Sequence, residues 1–365
     1  MCLFRPSAVY ALALAGLLCF QPDPTSAADL TIGVRADAPP FSYLTVPRSE
    51  GRDTEDAPSD VPGKVFTGYI VNICTEVIAE MQKTRHFTVR FEELEAKNRF
   101  TALQSGDIDV LCDPATIDQS RLRAPTVMVS SPVFLSGVGV AQSNLRQWAG
   151  HWPCIGPVVG IVEGTTARRA VQLIAEEFGF GETFSRVVRA HPDPEKVTLS
   201  QDDANSLDRC ASAAQNFGID PVRLASYTAS GRTTDEISSA VAVREYANHR
   251  ALARALCQNE VYYSVGDLEI VARALDAVIA EEMPDCDVRI NPQVFSEERY
   301  GIFVHISDVM DHTDRLALAF LRQLSIEINK GHNSILVRSF ADNFDRTKIS
   351  RSLDLFFWSV VAGAH

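Results

Sequence analysis

Strand-like and helix-like apolar runs alternate along this chain, and that alternation decides which fold classes are open to it. Residues 30–34 read as a strand, and Ile70, Ile73, Val77, Ile78 and Met81 recur at helical spacing. A strand at 87–91, a helix at 99–104 and a strand at 108–112 follow. The alternation resumes with a strand at 158–162 and a helix opened by Gly164-Thr165-Thr166 that runs through Ile174. It continues with a strand at 261–265 and a helix at 267–279. Strands at Val288 and at 300–304 precede a helix at 311–329, and 342–357 reads as an amphipathic tail. Strand and helix in alternation make a mainly parallel α/β sheet.

Residues 1–28 read as a secretory signal peptide. Arg5 gives a positive start, 8–20 is an apolar run, and Thr25, Ser26, Ala27 and Ala28 supply a small-residue cleavage region. Export to the periplasm is the expectation, and no later segment reaches the roughly 18 apolar residues of a spanning helix. The formal net charge of −13 argues against nucleic acid as a partner and means that any anion site must be built from local cations. Of the 8 cysteines, Cys2 and Cys19 fall in the leader; Cys74, Cys112, Cys154, Cys210, Cys257 and Cys286 remain. An even number in an exported chain favours disulfides, with buried thiols as the alternative, and no CxxC pair suggests zinc. Residues 47–64 are polar and read as a solvated loop, and 184–234 as a polar elaboration with a helix at 204–217.

Enzyme signatures are scarce. No GxSxG, HExxH, P-loop or GxGxxG pattern occurs, so no catalytic residue, metal ligand or cofactor is assigned. Three arginines stand out instead. Arg35, Arg99 and Arg121 each follow the carboxyl end of an expected strand, where ligands bind in open α/β sheets. An exposed or ion-paired arginine is the ordinary alternative for each one alone. Thr165 and Thr166 sit where a helix N-terminus favours a carboxylate, and Asp267 stands where it could accept from an ammonium group; simple helix capping is the competing role for both.

In the order of these motifs the chain resembles the periplasmic amino-acid-binding proteins of ABC transporters, solute-binding protein family 3. The block "RFTALQSGDIDVLCDPATIDQSR" is the most specific part, supported by "GYIVNICTEVIAEM", "VEGTTARRAV", "NEVYYSVGDLEIV" and "SEERYGIFV". "RADAPPFSY" and "NRF" are most similar to the glutamate/aspartate-binding subgroup. The resemblance implies a type II periplasmic-binding-protein-like fold, with two lobes, each a mainly parallel sheet flanked by helices, on a two-strand hinge. It implies Arg121 and Thr116, with Thr165 or Thr166, on the ligand α-carboxylate, and Asp267 on its ammonium. Arg35 and Arg99 would take a side-chain carboxylate, and Phe41 would line the pocket. Pro114, Ala96 and Asp113 depart from the subgroup, and Asp113 brings a carboxylate to the anion site.

The expected domains are lobe 1 at 29–139 with 297–365, and lobe 2 at 140–296. Fifteen cysteine pairings are open; placement along the elements points to Cys74–Cys112 and Cys257–Cys286, leaving Cys154 for Cys210. The expected function is capture of an amino acid or dicarboxylate, acidic by the subgroup likeness, and delivery to a membrane ABC transporter permease by a monomer. A sensor-docking or interaction protein on the same fold is the second class, and a cyclohexadienyl-dehydratase-like enzyme the third.

Overall fold

The computed structural model describes residues 29–45, 65–143, 158–177, 242–307, 311–345 and 350–362. The leader, the 47–64 loop, the Cys154–Cys210 pairing and the 184–234 elaboration lie outside the described residues.

Two five-stranded sheets organise the chain; in order across each sheet the strands are 88–93, 29–34, 110–111, 303–305 and 127–129, and 242–246, 158–162, 263–267, 134–143 and 288–300. In the first, β1 (Asp29–Val34) pairs in parallel with β5 (Thr88–Glu93) on one side and β6 (Val110–Leu111) on the other. Leu30, Ile32 and Val34 of β1 are fully buried, as a central strand covered on both faces requires. β7 (Val127–Val129) and β13 (Phe303–His305) close the sheet antiparallel, so it is mixed, where the sequence pattern suggested mainly parallel pairing.

Helix α1 (Tyr69–Gln82) buries Ile70, Ile73, Cys74, Val77, Ile78 and Met81, the face foreseen from its periodicity. It begins after Gly68, whose φ of 121° and close approach to Phe41 (an added Cβ would lie 2.6 Å from the carbonyl carbon) leave no room for a side chain. Between β1 and α1 the chain makes a small sheet of β2 (Asp37–Ala38), β3 (Ser42–Thr45) and β4 (Val65–Thr67) that the sequence pattern does not predict. Cys74 of α1 is bonded to Cys112 just beyond β6, with Cα atoms 6.3 Å apart.

In the second sheet β9 (Val158–Val162), β10 (Ala242–Tyr246) and β11 (Tyr263–Asp267) are parallel. Helices α2 (Arg99–Ser105), between β5 and β6 of the first sheet, and α3 (Ala167–Glu177), after β9, match expectation. β10 and α4 (His249–Cys257) were not foreseen, because they emerge from a polar stretch with mixed charge. Helix α5 (Leu268–Glu281) follows β11, and Cys257 at the end of α4 is bonded to Cys286.

The sheets are linked by β8 (Phe134–Ser143) and β12 (Val288–Tyr300), antiparallel to each other and both long. Phe134 and Tyr300 belong to the core beneath the first sheet, whereas Val138 and Val140 pack with Val159 and Ile161 of the second. The pair therefore crosses from one core to the other. A register shift between Asn291 and Ser296 interrupts β12; the strands expected at Val288 and at 300–304 mark its start and the β13 region, and the stretch between them is not foreseen. After β13, α6 (His312–Ile328) is capped by Asp311 and Asp314 in a reciprocal capping box. Helices α7 (Ile335–Asn343) and α8 (Arg351–Ala362) complete the chain's described part.

Candidate functional site

The carboxyl ends of the parallel strands of both sheets meet across one cleft, and the polar residues singled out above collect there. Arg35 follows β1, Arg99 opens α2 after β5, and Asp113 and Thr116 follow β6. From the other sheet come Gly164-Thr165-Thr166 after β9, Asp267 at the end of β11, and His249 at the start of α4. The two sides touch. Thr116 Oγ1 lies 3.4 Å from Thr166 Oγ1, Arg169 Nη2 donates to Asp118 Oδ1 at 3.1 Å, and Lys97 Nζ is 3.7 Å from Glu163 Oε2. Gly164, at φ 76°, approaches so closely that a Cβ there would sit 2.5 Å from Lys97 Cα. The cleft is closed.

Arg121 begins a short 3₁₀ turn (Arg121–Arg123) and its Nη1 donates to the Thr116 carbonyl at 2.8 Å. Its guanidinium carbon stands 4.3 Å from the Phe100 ring centroid, a cation–π support that fixes the plane of the fork. Burial, then the neighbouring Arg99 charge, pull its pKa down to about 10, so it remains a cation at neutral pH. With one bond spent on the backbone, a guanidinium's other N–H groups remain for a carboxylate.

Asp267 occupies the N-cap position of α5 but makes no side-chain capping bond. Its Oδ1 is buried without a partner, and so is the Tyr300 hydroxyl. Burial, reinforced by the Glu298 charge, raises its pKa to about 7. Glu298 was not foreseen; it is buried and accepts from Thr166 Oγ1 at 3.2 Å and Ser296 Oγ at 2.9 Å. Of the two threonines, Thr165 turns its hydroxyl onto the Val162 carbonyl at 2.7 Å, a local turn bond, while Thr166 faces Thr116.

Arg35 and Arg99 are nearly fully buried, and each already holds a carboxylate of this chain. Arg35 forms a two-pronged pair with Asp37, Nε to Oδ1 and Nη2 to Oδ2, both 2.9 Å. Arg99 Nη1 donates to Asp113 Oδ2 at 2.7 Å, where the side chains are 3% and 0% exposed. Arg99 Nε and Asp113 Oδ1 remain buried without partners. His249 lies against the same pairs: its backbone N–H donates to Asp37 Oδ2 at 3.4 Å, and neither ring nitrogen has a partner. Burial, then the Arg35 charge, lower its pKa to about 3, so the imidazole is neutral. Among scattered histidines the sequence offered no signal for this one.

Phe41 does not join the group. It is fully buried in the aromatic core, with ring centroids 4.8 Å from Phe134 and 5.2 Å from Tyr300. Its link to the cleft runs through Tyr300, which it packs against. Among the described residues no three His, Cys, Asp or Glu side chains are placed to hold a metal ion. A separate cavity of about 620 Å³, lined by Ser136, Glu269, Arg273 and Phe344 among others, shares none of the cleft residues. The convergence of charge and unpartnered polar atoms makes the cleft the candidate functional site.

A sequence model of the family described as "Bacterial extracellular solute-binding proteins, family 3" matches residues 30–335. A relative from Escherichia coli K12, the "Putative amino-acid ABC transporter-binding protein YhdW", is 36% identical over 83 residues, covering 22% of this chain and 23% of that protein. The aligned region thus spans about a quarter of the relative's length. Solved structures similar in fold include "An ancestral arginine-binding protein bound to glutamine" (18% identity, TM-score 0.51, covering 87% of this chain and 98% of that one). Another is a "Putative L-Cystine ABC transporter from Listeria monocytogenes" (11% identity, TM-score 0.50, covering 88% and 97%).

Proposed function

Because the chain belongs to the bacterial extracellular solute-binding proteins of family 3, we propose that it captures a free α-amino acid between its two lobes and delivers it to a membrane ABC transporter. The observation that carries this reading is a pair of opposite charges with free bonding capacity in one closed cleft. Arg121 comes from the first-sheet side and Asp267, which caps nothing, from the second. Arg121 takes the α-carboxylate with help from Thr116 and Thr166; Asp267, with Glu298 beside it, takes the α-ammonium. Arg35 and Arg99 stand at the side-chain end with His249, and Thr165 shapes the turn that presents Thr166.

In this reading the lobes are 29–139 with 297–365, and 140–296, and the β8–β12 crossing is the hinge. The protein works as a monomer in the periplasm, after export directed by residues 1–28. A ligand bonded to both sides favours the closed form, which is the form a transporter would recognise. Micromolar affinity needs about −8 kcal/mol; charge-assisted bonds of about 1.5–3 kcal/mol each could supply much of it.

The sequence likeness pointed to an acidic ligand through Arg35 and Arg99. Both are paired internally, which supports a side chain without net charge; the unpartnered Arg99 Nε is what still favours an acidic one. The dehydratase alternative gains one observation, a buried Asp267 carboxyl that titrates near neutrality as a general acid or base would. Calorimetric titration of unfolded-and-refolded, ligand-free protein with the L-amino acids tests the reading. Micromolar binding of at least one supports it. Binding of none, with turnover of a carboxylated cyclohexadienol, would replace it with the enzyme.

A further inference from the structure

We propose that Asp113 is the specificity-determining residue of the cleft: by holding Arg99 it excludes acidic ligands and leaves the side-chain end to uncharged α-amino acids. The inference rests on the amino-acid reading above and goes beyond it to the ligand class.

Charge balance at the side-chain end carries the argument. Two cations and two anions meet there, Arg35 with Asp37 and Arg99 with Asp113, and His249 is neutral. Arg35, Arg99, Asp113 and His249 are all buried there, and of the four charges Asp37 alone is partly exposed. A ligand carboxylate entering it would be a third anion against two cations. It would have to displace Asp113 from Arg99, and Asp113 has no exposed surface through which to withdraw into water. An uncharged side chain leaves both pairs intact. The atoms left over there include a donor at Arg99 Nε and an acceptor at Asp113 Oδ1, so a side chain carrying both hydrogen-bond functions fits better than an aliphatic one. The partition is one of rejection as much as attraction: like charge facing like charge in a buried site costs more than a matched contact gains.

The pair is asymmetric in consequence. Removing the Asp113 charge leaves Arg99 buried and uncompensated, which is the state that demands a carboxylate from the ligand. Removing both charges together leaves the end neutral, as it is with the pair intact.

Three forms of the full-length protein test this: wild type, Asp113→Asn, and Arg99→Met with Asp113→Leu together. Affinities for glutamate, aspartate, glutamine, asparagine and leucine are measured by calorimetry on each, and the readout is the ratio of acidic to uncharged affinity. A general loss of folding would not move that ratio selectively. Wild type should bind an uncharged amino acid at least tenfold more tightly than glutamate or aspartate. Asp113→Asn should raise the acidic-to-uncharged ratio at least tenfold, and the double variant should keep the preference for uncharged over acidic ligands. Tighter binding of glutamate or aspartate by wild type overturns the proposal, whatever the variants do. So does an unchanged ratio in Asp113→Asn. If Asp113→Asn does not fold, wild type and the double variant decide it, because loss of the preference for uncharged ligands in the double variant also counts against it. Failure of every amino acid to bind wild type would instead strike the amino-acid reading itself.

Discussion

Ligand binding should depend on pH through Asp267. In the closed cleft without ligand its carboxyl titrates at about 7, raised first by burial and then by Glu298, with Tyr300 and Arg99 opposing. A bound ammonium group stabilises the ionised form and pulls the pKa down in the complex. Between the two values, binding must release a proton, so affinity falls as pH falls below 7, by about tenfold per pH unit. From pH 8 to pH 5 the expected loss is about 100-fold, or about 2.7 kcal/mol. Arg121, at about 10, and His249, at about 3, do not titrate in this window. Calorimetry at pH 5 to 8, in buffers of different ionisation enthalpy, reads both the affinity and the proton count. The expected result is release of close to one proton per ligand at pH 5.5. Asp267→Asn should bind weakly and without pH dependence. Constant wild-type affinity from pH 5 to 8, with the protein folded throughout, would refute the assignment of the ammonium to Asp267.

Other perturbations separate head-group binding, closure and stability. Arg121→Ala should weaken every amino acid about 100-fold or more by calorimetry, since a carboxylate held in a buried site loses its paired cation. Gly164→Ala should lower the denaturation midpoint modestly, since a φ of 76° costs an alanine about 1 kcal/mol whether the cleft is open or closed, and should weaken binding further because the added Cβ also meets the Lys97 backbone in the closed form; small-angle scattering with ligand should then report an open form. Cys74→Ser with Cys112→Ser opens a loop of 38 residues, and the loop-closure relation gives a loss of about 4 kcal/mol in urea unfolding.

Much of this was legible along the chain, and the exceptions have physical causes. β1, α1, α2, β9 and the helix after β11 have runs whose buried faces follow one period, and these were read close to their observed bounds. After α5 the sequence pattern marks strands only at Val288 and at 300–304, whereas in the fold β12 runs unbroken between these positions, through a register shift between Asn291 and Ser296 that the long partner strand β8 bridges. β10 and α4 carry Arg244, Glu245 and Arg254 among their apolar residues, which blurs the pattern.

At the cleft, position along the strands was readable but pairing was not. Arg35, Arg99 and Arg121 lie where expected, yet only the fold reveals that Asp37 and Asp113 hold the first two. Asp113 was visible as a departure, and its consequence needed the meeting of the α2 start with the β6 end. His249 and Glu298 contribute through burial, which a single residue letter does not encode. Phe41 was expected at the pocket wall; its side chain goes to the aromatic core because Gly68 lets α1 start directly against its backbone.

The most direct measurement is a crystal structure of the protein with a bound amino acid identified by calorimetry. The expected result is its α-carboxylate within hydrogen-bond distance of Arg121 and its ammonium group within that distance of Asp267. A ligand seated outside the cleft, or turned so that its ammonium faces Arg121, would contradict the account.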